Sequence, residues 1–129
     1  MATTDWPMTV AVEGISVLDI SIDEGAFRRE CIKKFDSNSP NWDEKMDYNQ
    51  VFLRANNAYM NDLLNVKGHL FLNEVYDALG LPRTALGAVC GWIRSDDQVN
   101  YVGFGEMEPS TDGTIRLEFN AVGVILGVF

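Results

Sequence analysis

The chain has 129 residues, 47% hydrophobic and 22% charged, which supplies one packed core and argues against wholesale disorder. Its net charge is −9, the reverse of the positive surface that counterion release requires, so direct DNA binding is not expected. No apolar run approaches the ~20 residues of a bilayer span, and MATTDWPMTV has neither a basic nor an apolar signal region. A soluble chain kept inside the cell, with no membrane attachment, is expected.

The elements follow in order. MTVAVEGISVLDISI is rich in Val and Ile, alternates imperfectly around Gly14, and predicts one bent strand or a tight hairpin. Asp23 predicts an N-cap with Glu24 in the first turn. Phe27, Cys31, Ile32 and Phe35 continue at helical spacing to an end near Asp36, where DSNSPNW supplies turn formers. In the next helix Phe52, Ala55, Tyr59, Leu63 and Val66 are spaced by three and four, which predicts a core stripe; Asn49, Arg54, Asn57, Asn61 and Asn65 lie opposite. Gly68 predicts a left-handed stop, and Leu72, Val75, Tyr76 and Leu79 predict a third helix ending at Gly80. The period then changes. AVCGWIR, VNYVGFGEM and GTIRLEFNAVGVILGVF predict strands, with SDDQ and EPSTDG as turns between them. The expected architecture is one small α+β domain over residues 1–129, with an N-terminal β segment, about three helices and a C-terminal antiparallel sheet.

Few residues point to chemistry. The run LFLNEVYDALGLPRTALGAVCGW resembles helix, turn, helix, but Gly87, Ala88 and Gly91 make a poor recognition helix with no Asn, Gln or Lys to read base edges. It is expected to be a corner: Gly80 caps the helix, Pro82 stops it, Thr84 caps one further turn and Trp92 enters the core. His69 is the only histidine and sits where a helix is expected to start, with no nucleophile singled out beside it, so a structural role is expected. Glu74 with Asp77, and Asp96 with Asp97, are expected to be solvated acids. Cys31 and Cys90 are expected to be buried free thiols, too few with one histidine for a zinc site. Gly103 and Gly105 lack the strand-turn-helix setting of a phosphate loop and predict close strand packing. No enzyme activity, metal or cofactor is expected.

One region is richer. Trp42, Tyr48, Asn49, Asn56 and Asn57 group aromatics with amides around the start of the second helix. Exposed, they would make a protein contact or a small-molecule pocket; alternatively Trp42 staples the loop to the helix. Residues 1–50 carry ten acids against five bases, and Asp43, Glu44 and Asp47 crowd the same helix start. Trp42, Asp43, Glu44, Asp47 and Tyr48 are therefore the candidate binding residues.

The signatures SPNW, YN-x-x-FLR, NDLL, GH-x-FLNEVYD-x-LGLPRT and GW lie within Ser39–Trp92, with VGFGE and IRLEFNAVGVI beyond. Together they resemble an uncharacterised family from phages and prophages of Gram-positive gut bacteria. Members of that family often carry an apolar N-terminal segment suited to membrane anchoring, where this chain has a β segment and a short helix. The resemblance implies a phage or mobile-element origin and expression inside a bacterial cell, and brings no catalytic residues. It makes the expected role a non-enzymatic accessory protein that binds a host protein or protein–nucleic-acid complex with a basic surface, such as an acidic anti-defence inhibitor. The alternative is a small virion or assembly component acting through self-association, with AVGVILGVF as an interface strand.

Overall fold

A computed structural model of the chain describes residues 5–12, 15–94 and 101–127. Strands β1 (Asp5–Val12) and β2 (Ile15–Asp23) pair antiparallel with Asp5 opposite Asp23, so the opening β segment is two paired strands. Asp23 then caps α1 (Glu24–Glu30), accepting the Gly25 N–H at 3.2 Å. This helix is shorter than the apolar spacing predicts. Cys31 is its C-cap, and β3 (Ile32–Phe35) pairs antiparallel with β6 (Ile115–Glu118). A run as short as Cys31–Phe35 fits either period, and the available partner strand decides.

Helix α2 (Met46–Lys67) ends at Gly68, whose φ of 83° is the left-handed conformation that glycine adopts at least cost. Its buried side is Asn49, Leu53, Met60 and Leu64, each at most 1% exposed. The predicted stripe lies elsewhere: Tyr59 is 54% and Val66 83% exposed, Ala55 is exposed, and Phe52 and Leu63 are half-buried at the border. The doublets Phe52–Leu53 and Leu63–Leu64 give an apolar residue to each side of the helix, so spacing alone does not choose between them. Three asparagines choose, and they lie inward, while Asn65 is exposed. Asn49 is fully buried, and Asn57 and Asn61 are half-buried with their amides on the Val102 backbone.

His69 opens a strand, β4 (His69–Phe71), and not a helix. Next comes α3 (Leu72–Leu79), burying Leu72, Val75, Tyr76 and Leu79 as predicted; Glu74 reaches back to accept the Phe71 N–H at 2.9 Å. Gly80, with φ 78°, ends it, and the Leu81 N–H bonds the Tyr76 carbonyl at 2.8 Å. The predicted corner is present. Thr84 Oγ1 accepts the Gly87 N–H at 2.8 Å and starts a single 3-10 turn (Leu86–Ala88), far too short to read a groove. Strand β5 (Cys90–Ile93) follows, with Trp92 1% exposed. It pairs antiparallel with β4 and with β7 (Gly123–Val124). A Cβ on Gly91 would stand 1.9 Å from the Leu70 carbonyl oxygen, so only glycine lets β4 and β5 close.

The strand expected over VNYVGFGEM does not form among its described residues, 101–107. The expected SDDQ turn, Ser95 to Gln98, lies outside the described residues. EPSTDG is a turn as predicted, and the long C-terminal strand resolves into β6 and β7 with residues 119–122 irregular between them, its last two residues, 128–129, lying outside the described residues. Val124 and Ile125 are buried in the domain itself. Among the described residues the fold is thus a small single α+β domain of three α-helices and three antiparallel sheets, the largest of three strands. Strands β3 and β4 are interleaved among the helices. The core gathers Phe35, Leu53, Tyr76, Trp92, Phe104 and Leu117 between α2, α3 and the sheets. Among the described residues no helix is long and apolar enough to cross a membrane.

The corrected register of α2 predicts opposite outcomes for neighbouring apolar residues. Leu53→Ala or Leu64→Ala should cost about 2–5 kcal/mol in chemical denaturation. Tyr59→Ala should cost under about 1 kcal/mol, as exposed positions do. A reversed ranking would restore the stripe read from spacing.

Candidate interaction surface

The turn before α2 is held from inside. Asn49 spends both ends of its amide on one residue: Oδ1 accepts the Asp43 N–H at 2.9 Å and Nδ2 donates to the Asp43 carbonyl at 2.7 Å. Asn49 itself is fully buried, which limits the water competing for its two bonds. The Asp43 side chain turns outward, where Oδ1 accepts the Lys45 N–H at 2.8 Å. Asp43, Glu44 and Asp47 are all exposed. Among the described residues neither Glu44 nor Asp47 has an ion-pair partner. Asp47 lies in the first turn of α2, where the helix dipole favours a carboxylate.

The aromatics on this surface form one ladder from core to solvent. Trp42 is half-buried with its ring centroid 5.9 Å from that of buried Phe35; Phe35 stacks on Phe52 at 5.7 Å, and Phe52 on Tyr48 at 6.3 Å. Trp42 thus does staple the loop to the core, while Tyr48 is left 49% exposed as the outer rung. Each such contact contributes roughly 0.5–1.5 kcal/mol beyond burial, so Tyr48 is presented on a rigid support. The amides grouped with these aromatics face inward: Asn49 is occupied by Asp43, Asn57 donates to the Val102 carbonyl at 2.6 Å, and Asn56 donates to the Phe52 carbonyl at 2.9 Å. Of the five candidate residues the structure brings together Asp43, Glu44, Asp47 and Tyr48 as an acidic rim with one aromatic, and turns Trp42 beneath them.

Spacing missed the continuation of this surface along α2. From Tyr48 the outward face runs through Val51, Ala55, Ala58, Tyr59 and Val66, all exposed, with Val51 at 63%. Part of the signal was present in the sequence, since Ala55, Tyr59 and Val66 belong to the stripe assigned to the core.

Other titratable groups are engaged inside the fold. The Glu30 carboxylate, on a side chain 9% exposed, receives the Tyr76 hydroxyl at 2.7 Å and the Thr84 hydroxyl at 2.5 Å, with Lys33 Nζ at 3.6 Å. Burial, reinforced by Glu30, holds the Tyr76 phenol far above its ordinary titration range. Burial also raises the Cys31 thiol to about 11 and the Cys90 thiol to about 12, so both are protonated near neutral pH. Cys31 lines a shallow cleft of about 240 Å³ beside Phe27 and Arg28, but as a thiol it is a weak nucleophile. Asp77 is held below the usual carboxylate range by its two-pronged bond to Arg83, and Glu74 pairs with Lys67. His69 is half-buried in β4, edge-on to Phe71 at 5.9 Å. Among the described residues no three His, Cys, Asp or Glu side chains are grouped to hold a metal ion.

These features define a small α+β domain with an acidic, aromatic-tipped helix surface. The chain belongs to the family of unknown function designated DUF6353, which it matches over residues 10–129. No curated protein and no solved structure matches the chain.

The two thiols predict a pH dependence. Unfolded, each titrates near 9.0; folded, near 11 and 12. Above pH 9 the unfolded state releases protons that the native state keeps, so stability falls as pH rises. The contribution should be complete below pH 9 and decline by up to ~1.4 kcal/mol per pH unit for each thiol above it. Denaturation midpoints of the parent and of Cys31→Ala/Cys90→Ala between pH 7 and pH 11 check this. A parent decline no steeper than that of the double variant would contradict the buried-thiol assignment.

Proposed function

We propose that the protein is a non-enzymatic accessory protein of phage or mobile-element origin. It acts inside the bacterial cell by covering a basic surface of a host protein or protein–nucleic-acid complex, in the manner of an anti-defence inhibitor. The observation that carries this reading is the rim of Asp43, Glu44 and Asp47 beside Tyr48: three exposed acidic residues on the turn before α2, which buried Asn49 holds at Asp43, and on the helix's first turn, next to an aromatic on a stacked support. A rigid aromatic loses little entropy on contact, and exposed acidic residues around it steer and select a cationic partner. The net charge of −9 extends the same attraction beyond the rim.

The test reverses Asp43, Glu44 and Asp47 to Lys together. Glu44 and Asp47 contribute little to folding, and loss of the Asp43 bond to the Lys45 N–H should cost about 1 kcal/mol. Partners captured from host lysate by the parent should be lost or weakened with the variant. Association measured on the purified partner at ~50 mM salt should slow tenfold or more. Recovery of only the chain's own oligomer, unchanged by the charge reversal, would contradict the inhibitor reading and favour a virion or assembly role.

A further inference from the structure

The outward face of α2 is apolar along most of its length yet stays exposed among the described residues. Tyr48, Val51, Ala55, Tyr59 and Val66 recur at spacings of three, four, four and seven, with Ala58 beside Tyr59, the pattern of a helix that packs against another helix. One charge, Asp62, sits within this stripe, and Arg54 stands at its margin. Both are exposed, and among the described residues neither has an ion-pair or hydrogen-bond partner. Whatever covers the stripe must bring a cation to Asp62, because a carboxylate buried without one is costly.

We infer that this face binds the same face of a second copy of the chain, antiparallel, about a two-fold axis passing beside Ala58. Arg54 precedes Ala58 by four residues and Asp62 follows it by four. An axis at Ala58 therefore brings Arg54 of each chain level with Asp62 of the other, making two equivalent ion pairs. The same operation sets Val51 level with the other copy's Val66 to within one residue, about 1.5 Å along the axis. Tyr59 meets the room left by Ala55, and alanine at the axis itself lets the two backbones approach. A parallel pair would instead set Asp62 against Asp62 and Arg54 against Arg54. The face thus supplies its own counter-charge in one orientation only, which singles out a second copy over an unrelated partner. Asp43, Glu44 and Asp47 lie at the start of α2, so the dimer carries the acidic rim at its two ends. This inference does not depend on the proposed host partner.

A contact confined to one helix per chain is at the small end of specific interfaces, about 1,200 Å² or less, so the association is sought in the micromolar range. Like net charges repel at long range, so the measurement belongs near ~150 mM salt, where the screening length is ~8 Å. Sedimentation of the full chain from ~1 to ~500 µM should show a monomer–dimer equilibrium. Arg54→Asp or Asp62→Arg alone should weaken it about tenfold, since symmetry counts each change twice. Arg54→Asp/Asp62→Arg should restore it. Ala58→Cys should yield a disulfide-linked dimer on mild oxidation, while Lys34→Cys, on β3 away from the stripe, should not. A chain that stays monomeric throughout, a dimer indifferent to both single reversals, or a double reversal that fails to restore association would each overturn the inference. So would a monomer whose α2 face is covered only by a basic partner.

Discussion

Asparagine side chains do in this protein what strands do in others. A carboxamide carries a donor and an acceptor side by side, as a peptide group does, and can complete a backbone that has no ladder. Four asparagines are used this way. Asn49 takes both polar groups of Asp43, and Asn73 takes those of Thr84, with bonds of 3.0 and 3.1 Å. Asn61 accepts the Val102 N–H at 2.8 Å and donates to the Val102 carbonyl at 2.9 Å. Asn120 donates to the Tyr101 carbonyl at 3.0 Å while accepting the Gly103 N–H at 2.7 Å and the Trp92 indole N–H at 2.8 Å. Each position ties a strandless segment to a regular element or to the core. With sheets of only two or three strands, the backbone groups of buried Val102 depend on these bonds, while the Phe104 carbonyl accepts the Glu118 N–H at 3.0 Å.

This constraint explains how α2 comes to have two apolar faces. Asn49, Asn57 and Asn61 are spent inward, so Leu53, Met60 and Leu64 share the buried side with amides, Phe52 and Leu63 pack at the border, and Val51, Ala55, Ala58, Tyr59 and Val66 are left facing outward. An inner surface made partly of asparagine holds through directed bonds as much as through area. Its outer counterpart carries Tyr48, Val51, Tyr59 and Val66 next to the acidic rim. Structure and surface chemistry are therefore set by one helix read from two sides.

What could be read from sequence was local, and what could not was relational. Asp23 as a cap, Gly68 and Gly80 as stops, and the Leu81–Trp92 corner each follow from the conformational rules of single residues, and each is found in place. The register of α2 was not legible, because it depends on where the asparagines find partners: Val102 lies 41 residues from Asn61. Val102 and Phe104 are buried in alternation, which is why 101–107 looks like a strand; the backbone gives it only the Glu118 and Asn120 N–H bonds to the Phe104 and Gly103 carbonyls, and asparagine side chains supply the rest. Ile32–Phe35 needed β6, more than eighty residues on, to become a strand. At the surface, Asp43, Glu44, Asp47 and Tyr48 were legible as a group because they are close in sequence. The Glu30 network was invisible because Tyr76 and Thr84 come to it from 46 and 54 residues away.

The central claim, that inward asparagines stand in for strand pairing, is tested most directly by amide hydrogen exchange at Val102. In the parent this N–H should be protected to a degree comparable with the amides of β6, although Val102 lies in no strand. In Asn61→Ala its protection should fall by tenfold or more while the amides of α3 keep theirs, since a bond worth about 1 kcal/mol or more is removed locally. A Val102 amide that exchanges like an exposed peptide in the parent, or that is indifferent to Asn61→Ala, would contradict the account.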